Sequence, residues 1–124
     1  MAKHILIVDD VPAVRFTVRR TLERVPDLQV CGEASDGGEA IEKAAQLSPD
    51  LVVMDLSMPT MNGLEATRRI KRNAPHVPVI LYTLHKDALS KFDTLSLGIS
   101  SVVDKGVGID SLIAAIQGLL KTTP

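Results

Sequence analysis

The sequence predicts an α/β protein built on a five-stranded parallel sheet in the order 2-1-3-4-5, with helices on both faces. Three observations lead there. Short apolar runs alternate with segments of helical period along the whole chain. The first, third and fourth runs are continuously apolar, as strands covered on both faces are, whereas the second alternates and the fifth is flanked by serines. Clusters of Gly, Pro, Asp, Asn and Ser punctuate the boundaries.

Taken in order, Ile5 to Val8 is the first strand. Val14, Val18, Leu22 and Val25 recur at helical spacing behind Pro12, which suits a first turn. Leu28 to Ala34 is the second strand, and Asp36, Gly37 and Gly38 make a turn. Ala40, Ile41, Ala44, Ala45 and Leu47 mark the second helix, stopped by Ser48 and Pro49. Leu51 to Met54 is the third strand. Asn62 or Gly63 opens the third helix, which carries Leu64, Ala66 and Ile70 and ends before Pro75. Val77 to Tyr82 is the fourth strand, a fourth helix is expected between Asp87 and Leu97, and Ser100 to Asp104 is the fifth strand. Asp110 is positioned to cap the last helix, which runs through Ile113, Ile116 and Leu120 to Lys121.

With right-handed crossovers, the interior and edge strands order themselves 2-1-3-4-5, and the order reverses between strands one and three. Ligands in open α/β sheets bind at the carboxyl ends of the strands beside that reversal. Asp9 and Asp10 end the first strand and Asp55 ends the third. Three carboxylates at one sheet end repel one another unless a cation neutralises them. Thr83 ends the fourth strand and Lys105 the fifth, so one rim carries Asp9, Asp10, Asp55, Thr83 and Lys105.

Length and composition narrow the classes. A chain of 124 residues is expected to form one domain, spanning 1–124. Its 14 basic and 15 acidic side chains nearly cancel and form no run of like charge, which argues against a nucleic-acid or membrane surface and for a protein partner. Arg15, Arg19, Arg20 and Arg24 share the first helix and are expected to form a solvated face. Cys31 is the sole cysteine, which suits a reducing compartment. With no signal-peptide pattern and no apolar stretch of membrane-spanning length, a cytoplasmic location is expected.

The chemistry that suits this rim is phosphoryl transfer to a carboxylate. Mg²⁺ takes hard oxygen ligands and commonly uses one or two carboxylates together with phosphate oxygens. Asp10 and Asp55 can supply the carboxylates, with Asp9 acting through water. Asp55 is then the nucleophile, Lys105 neutralises one phosphoryl oxygen, and the Thr83 hydroxyl donates to another.

The segment Ile5 to Asp10 (ILIVDD), the segment Asp55 to Glu65 (DLSMPTMNGLE), Thr83 and Lys105 resemble, in order and at strand ends, the response-regulator receiver domain of two-component signalling, in the CheY-like superfamily. The resemblance covers essentially the whole chain. Pro59, Met61, Asn62 and Gly63, with Gly106 after the lysine, are most similar to receivers of NarL/LuxR-type regulators, which precede a helix-turn-helix DNA-binding domain. The resemblance implies a flavodoxin-like, doubly wound (βα)5 fold and a phosphorylation-controlled signalling switch, either single-domain or part of a longer transcriptional regulator. A sensor histidine kinase or phosphotransfer protein would phosphorylate Asp55 with Mg²⁺ as cofactor, and slow self-catalysed hydrolysis would reset the switch. It also implies that the Ser57 backbone carbonyl joins Asp9, Asp10 and Asp55 as a metal ligand, and that Thr83 and Lys105 complete the catalytic set. Backbone N–H groups of Leu56, Ser57 and Leu84 would lie near the phosphoryl oxygens. A downstream protein would read the altered face, and a homodimer is one such output; no nucleic acid or membrane is expected to bind this chain. Such a domain is not a free-standing turnover enzyme.

Three positions depart from the family pattern. Val102 stands three residues before the lysine, where receivers usually carry Tyr or Phe, so the aromatic rotamer that commonly reports on the Thr hydroxyl is missing; Tyr82 is the only tyrosine. Gly106 replaces a common Pro, and a mobile loop from Gly106 to Gly108 is expected. Leu84 stands where a small residue is common, with bulk that would shield the acyl phosphate or hinder its donor. Ser57 and His85 hold the positions that tune water access in this family.

Two other classes share parts of the pattern. An aspartate-nucleophile phosphatase of the haloacid dehalogenase kind would carry a second Asp two residues after the nucleophile, where Ser57 stands. A phosphorylation-independent pseudo-receiver is disfavoured by the intact acidic set. No glycine-rich phosphate loop follows the first strand, which argues against a nucleotide-binding enzyme.

Overall fold

A computed structural model describes residues 2–84, 86–89, 94 and 96–121 of the chain. Its strands are β1 (Lys3–Val8), β2 (Leu28–Ala34), β3 (Leu51–Met54), β4 (Val79–Thr83) and β5 (Ser101–Asp104). They pair in parallel throughout, in the order β2-β1-β3-β4-β5. The helices among the described residues are α1 (Pro12–Glu23), α2 (Gly37–Leu47), α3 (Gly63–Asn73) and α4 (Ile109–Leu120). The helix expected between Asp87 and Leu97 falls partly outside the described residues; among those described, Lys86–Ala88 form a 3₁₀ turn, and Thr94 and Ser96 are helical. No helix of the described residues is long and apolar enough to cross a membrane.

Alternation along the inner strands divides the core in two. Ile5, Ile7, Leu51, Val53, Ile80, Tyr82 and Val103 face Val18 and Leu22 of α1 and Leu112 and Ile116 of α4. Leu6, Val8, Val52, Met54, Val79 and Leu81 face the other way, with Ala40 of α2 and Ala66 and Ile70 of α3. All four residues of β3 are fully buried or nearly so, as a central parallel strand requires.

Helix starts follow local chemistry with one exception. Pro12 opens α1, and the Asn62 side chain accepts a hydrogen bond from the Glu65 N–H at the start of α3. The expected turn at Asp36, Gly37 and Gly38 is instead the start of α2: Asp36 Oδ1 accepts from the Glu39 N–H at 2.8 Å, and both glycines are already helical. Asp110, however, caps nothing. α4 begins one residue earlier at Ile109, its capping position is Gly108 with φ 112°, and no side chain caps it, so Asp110 sits inside the first turn, where its charge still complements the helix dipole. The loop expected from Gly106 to Gly108 overlaps a 3₁₀ turn, Lys105–Val107, in which Asp104 Oδ1 accepts from the Gly106 N–H at 2.7 Å.

Candidate functional site: a buried acidic cluster and its lysine

Register brings the acidic residues together. Val8 pairs with Met54 and Met54 with Leu81. One step further along, Asp9, Asp55 and Tyr82 therefore lie in one lateral row on three adjacent strands, on the α1–α4 side of the sheet. The backbone holds the row: Asp55 N–H donates to the Val8 carbonyl at 2.9 Å, and Asp9 N–H to the Ala34 carbonyl at 3.0 Å. One carboxylate oxygen from each of Asp9, Asp10 and Asp55 lies within 4.8 Å of the other two.

Lys105 reaches into this group from the end of β5. Its Nζ donates to Asp9 Oδ2 at 2.6 Å and stands 3.4 Å from Asp55 Oδ1. The Lys105 side chain is only 13% exposed, that of Asp9 3% and that of Asp55 7%, so these charges interact with little screening. The other Asp9 oxygen, Oδ1, accepts from the Val11 N–H at 2.9 Å. Burial pushes the Asp55 carboxyl above its ordinary range, and the Asp9 charge adds to the push; Lys105 and the Ser57 N–H pull the other way and do not prevail. Burial works to lower Lys105, but the Asp9 hydrogen bond and the two carboxylate charges outweigh it and hold the ammonium above its ordinary value.

The loop after Asp55 is shaped by a close approach. A Cβ on Gly63 would lie 2.2 Å from the Asp55 carbonyl oxygen, so only glycine fits where α3 starts against the strand it follows. The Gly63 N–H also donates to the Leu56 carbonyl at 2.8 Å. The Asn-Gly pair therefore fixes both the helix cap and the path of the Asp55 backbone.

The remaining predicted residues fall as follows. Thr83 is fully buried, opposite Asp104 of β5 and one residue beyond the Asp9–Asp55–Tyr82 row. Ser57 is exposed in the loop after β3. Val102 is partly buried against the α2–α3 half of the core, and Leu84 is 67% exposed, so its bulk is turned largely to solvent. His85 lies outside the described residues. Val11, Leu84 and Val107, each just beyond a strand that feeds the site, are exposed apolar side chains at this end of the sheet.

Arg15 was not among the predicted site residues. Rather than joining a solvated face, it donates from Nη1 to the Asp9 carbonyl at 2.6 Å and from Nε to Glu33 at 3.2 Å. Arg19 donates to the other Glu33 oxygen at 2.7 Å. Two arginines of α1 thus clamp β2 and the end of β1. Their spacing on one helix face is visible in sequence, but the acceptor on β2 is visible only once β2 lies beside β1.

A family model described as the response regulator receiver domain matches residues 5–117. The chain belongs to that family. It is 37% identical over 113 residues to the response regulator GacA of Pseudomonas viridiflava, covering 91% of this chain and 53% of that protein. Against the response regulator UvrY of Escherichia coli K12 the identity is 35% over 116 residues, covering 94% and 53%. The chain thus spans about half the length of these curated relatives. Among solved structures, a LuxR-family two-component response regulator from Aurantimonas sp. SI85-9A1 is 36% identical and superposes with a TM-score of 0.91, over 98% of this chain and 86% of that one. The receiver fold expected from sequence, and the likeness to NarL/LuxR-type regulators, are both borne out.

Proposed function

We propose that this receiver domain, formed by residues 1–124, accepts a phosphoryl group on Asp55 and passes the change to a protein partner. The observation that carries the reading is the nearly buried Lys105 ammonium between Asp9 and Asp55, beside Asp10. Three carboxylates and one lysine leave net negative charge in a poorly solvated site, which suits a divalent cation and an incoming phosphoryl group better than it suits a resting ion pair.

The three carboxylates fit Mg²⁺ chemically, being hard oxygen donors close enough to share one ion. Asp9, Asp10 and Asp55 would hold it, with the Ser57 carbonyl as a further ligand. When bound, Mg²⁺ offsets the negative charge that would otherwise repel a phosphate from Asp55. An Asp55 carboxylate oxygen attacks phosphorus in line, the bond from phosphorus to the donor breaks, and the leaving group departs with its electron pair. Lys105 exchanges Asp9 for a phosphoryl oxygen as charge develops there. The Thr83 hydroxyl donates to another phosphoryl oxygen, and Ser57 and His85 set the access of the water that later hydrolyses the acyl phosphate.

The donor would be a phosphohistidine of a sensor kinase or phosphotransfer protein, consistent with a cytoplasmic location, and the apolar residues Val11, Leu84 and Val107 offer that protein a surface around the acidic site. The relatives' greater length supports an output through a longer regulator. Incubation with acetyl phosphate and Mg²⁺, followed by intact mass measurement, tests the reading. One added phosphoryl group, lost on omission of Mg²⁺ or in Asp55→Asn, is expected; an unmodified wild type would overturn it.

A further inference from the structure

We propose that Tyr82 is a positioning residue for Lys105, acting through the face of its ring; the proposal rests on the reading of Asp55 as phosphoacceptor. Tyr82 lies in the same lateral row as Asp9 and Asp55, and its register partner on β5 is Val103. Lys105 lies two residues beyond Val103, where it opens the 3₁₀ turn that follows β5. The Lys105 Nζ stands 5.8 Å from the Tyr82 ring centroid, within the range in which an ammonium is attracted to an aromatic face. Tyr82 is 7% exposed and belongs to the core cluster that includes Val18, Leu112 and Ile116.

The ring matters because the other partners of Lys105 change during the reaction. In the resting arrangement the ammonium is held by Asp9 at 2.6 Å and by Asp55 at 3.4 Å. Once Asp9 is drawn to a cation and Asp55 carries a phosphoryl group, the 2.6 Å bond is exchanged for one to a phosphoryl oxygen. Tyr82, packed in the core, stays in place through that exchange. Its neutral face attracts the ammonium without competing for its hydrogen bonds, and so confines Nζ to a short arc across the Asp9–Asp55 gap. Val102, the position where the family carries an aromatic ring, packs on the opposite face and cannot do this.

The test keeps the shape of the ring and removes its charge distribution. In the full chain, Tyr82 is replaced by Phe and by Phe carrying one to three ring fluorines, and phosphorylation by acetyl phosphate with Mg²⁺ is timed at limiting and saturating donor. Tyr82→Phe is expected within about twofold of wild type, and the trifluorinated ring about fivefold slower at saturation, with the half-saturating donor concentration unchanged. In a Lys105→Met background the series should be flat. Equal rates across the series in the Lys105 protein, or the same decline without Lys105, would overturn the proposal. A second measurement needs neither metal nor donor: the Lys105 ε-methylene protons should be ring-shifted upfield in wild type and return downfield in Tyr82→Leu. Ordinary shifts in the wild type would also overturn it. If wild type is not phosphorylated at all, the proposed function fails, and the proton shifts alone decide whether the ring holds the lysine.

Discussion

The two ends of the sheet set carboxylates beside basic side chains under opposite conditions. At the amino end, His4 Nδ1 lies 3.6 Å from Asp50 Oδ2, with side chains 47% and 40% exposed. A cavity of about 390 Å³ opens nearby between the C-terminal parts of α2 and α3, lined by Ile41, Ala44, Ile70 and Val77 with Asp50 and His76. At the carboxyl end, Asp9, Asp55 and Lys105 are almost wholly covered and packed into a few ångströms. Water screens the first pair and leaves it worth little, whereas the second group interacts at low dielectric, where burial and the repulsion from Asp9 cost the Asp55 charge more than the lysine returns. The amino end tolerates change; the carboxyl end stores an electrostatic demand that a cation and a phosphoryl group can meet.

The largest effect is expected where the charged end is held in shape by backbone alone. Gly63→Ala drives a methyl group to 2.2 Å from the Asp55 carbonyl oxygen, and neither partner is a flexible side chain. We expect a loss of roughly 2–4 kcal/mol in urea unfolding, together with loss of phosphorylation, because relief requires the Asp55 strand end or the start of α3 to shift. A stability within about 0.5 kcal/mol of wild type would show that this end is not rigid.

Next comes Asp55→Asn. The substitution removes a buried charge together with its repulsion from Asp9, and leaves Lys105 its 2.6 Å bond to Asp9. Metal-free Asp55→Asn should therefore be more stable than wild type, by about 1–2 kcal/mol at neutral pH, after allowing for the lost attraction to Lys105. Added Mg²⁺ should narrow the gap by stabilising the wild type alone. A less stable variant would mean that the lysine outweighs burial and the neighbouring carboxylate around Asp55.

Much of this site was legible in the sequence, for a physical reason. Parallel strands buried on both faces must be continuously apolar, so Ile5–Val8 and Leu51–Met54 announce their ends, and the polar residue after each end has to lie on the rim. The edge character of Leu28–Ala34 then fixes the order, and Asp9, Asp10, Asp55 and Lys105 meet where that order puts them. What stayed hidden depends on register or on which helical residue comes first. Arg15 looks like one of four arginines until Glu33 and the Asp9 carbonyl lie beside it. Tyr82 looks like a strand tyrosine until the rows show it level with Asp9 and Asp55. Asp110 satisfies the residue preference for a cap, yet α4 starts two residues too early for it to serve.

At the amino end, Asp50→Ala removes the acceptor for the His4 backbone N–H, 2.7 Å from Asp50 Oδ2, along with the contact to the His4 ring. Exposure lets water replace both, so the expected loss is about 0.5 kcal/mol, several-fold below that of Gly63→Ala. A loss above about 2 kcal/mol would erase the contrast between the two ends.

The smallest effect concerns a carboxylate that is near the charged end but outside it. Glu39 accepts from the Ser35 N–H at 2.6 Å and from its hydroxyl at 3.1 Å, and that N–H, foremost among its partners, lowers the Glu39 carboxyl below its ordinary range despite slight burial. A carboxyl lowered on folding contributes stability that is complete above its unfolded value, about 4.3, and drains away as pH falls through the folded value. The side chain is 39% exposed, so solvent screening limits the contribution to less than about 0.5 kcal/mol. Glu39→Gln should accordingly be slightly less stable than wild type at pH 7 and indistinguishable from it once both are unfolded from a state below the folded value. A gap between them that widened on acidification would have the wrong sign for a lowered carboxyl, and would show that the Ser35 hydrogen bonds do not hold Glu39 in its charged form.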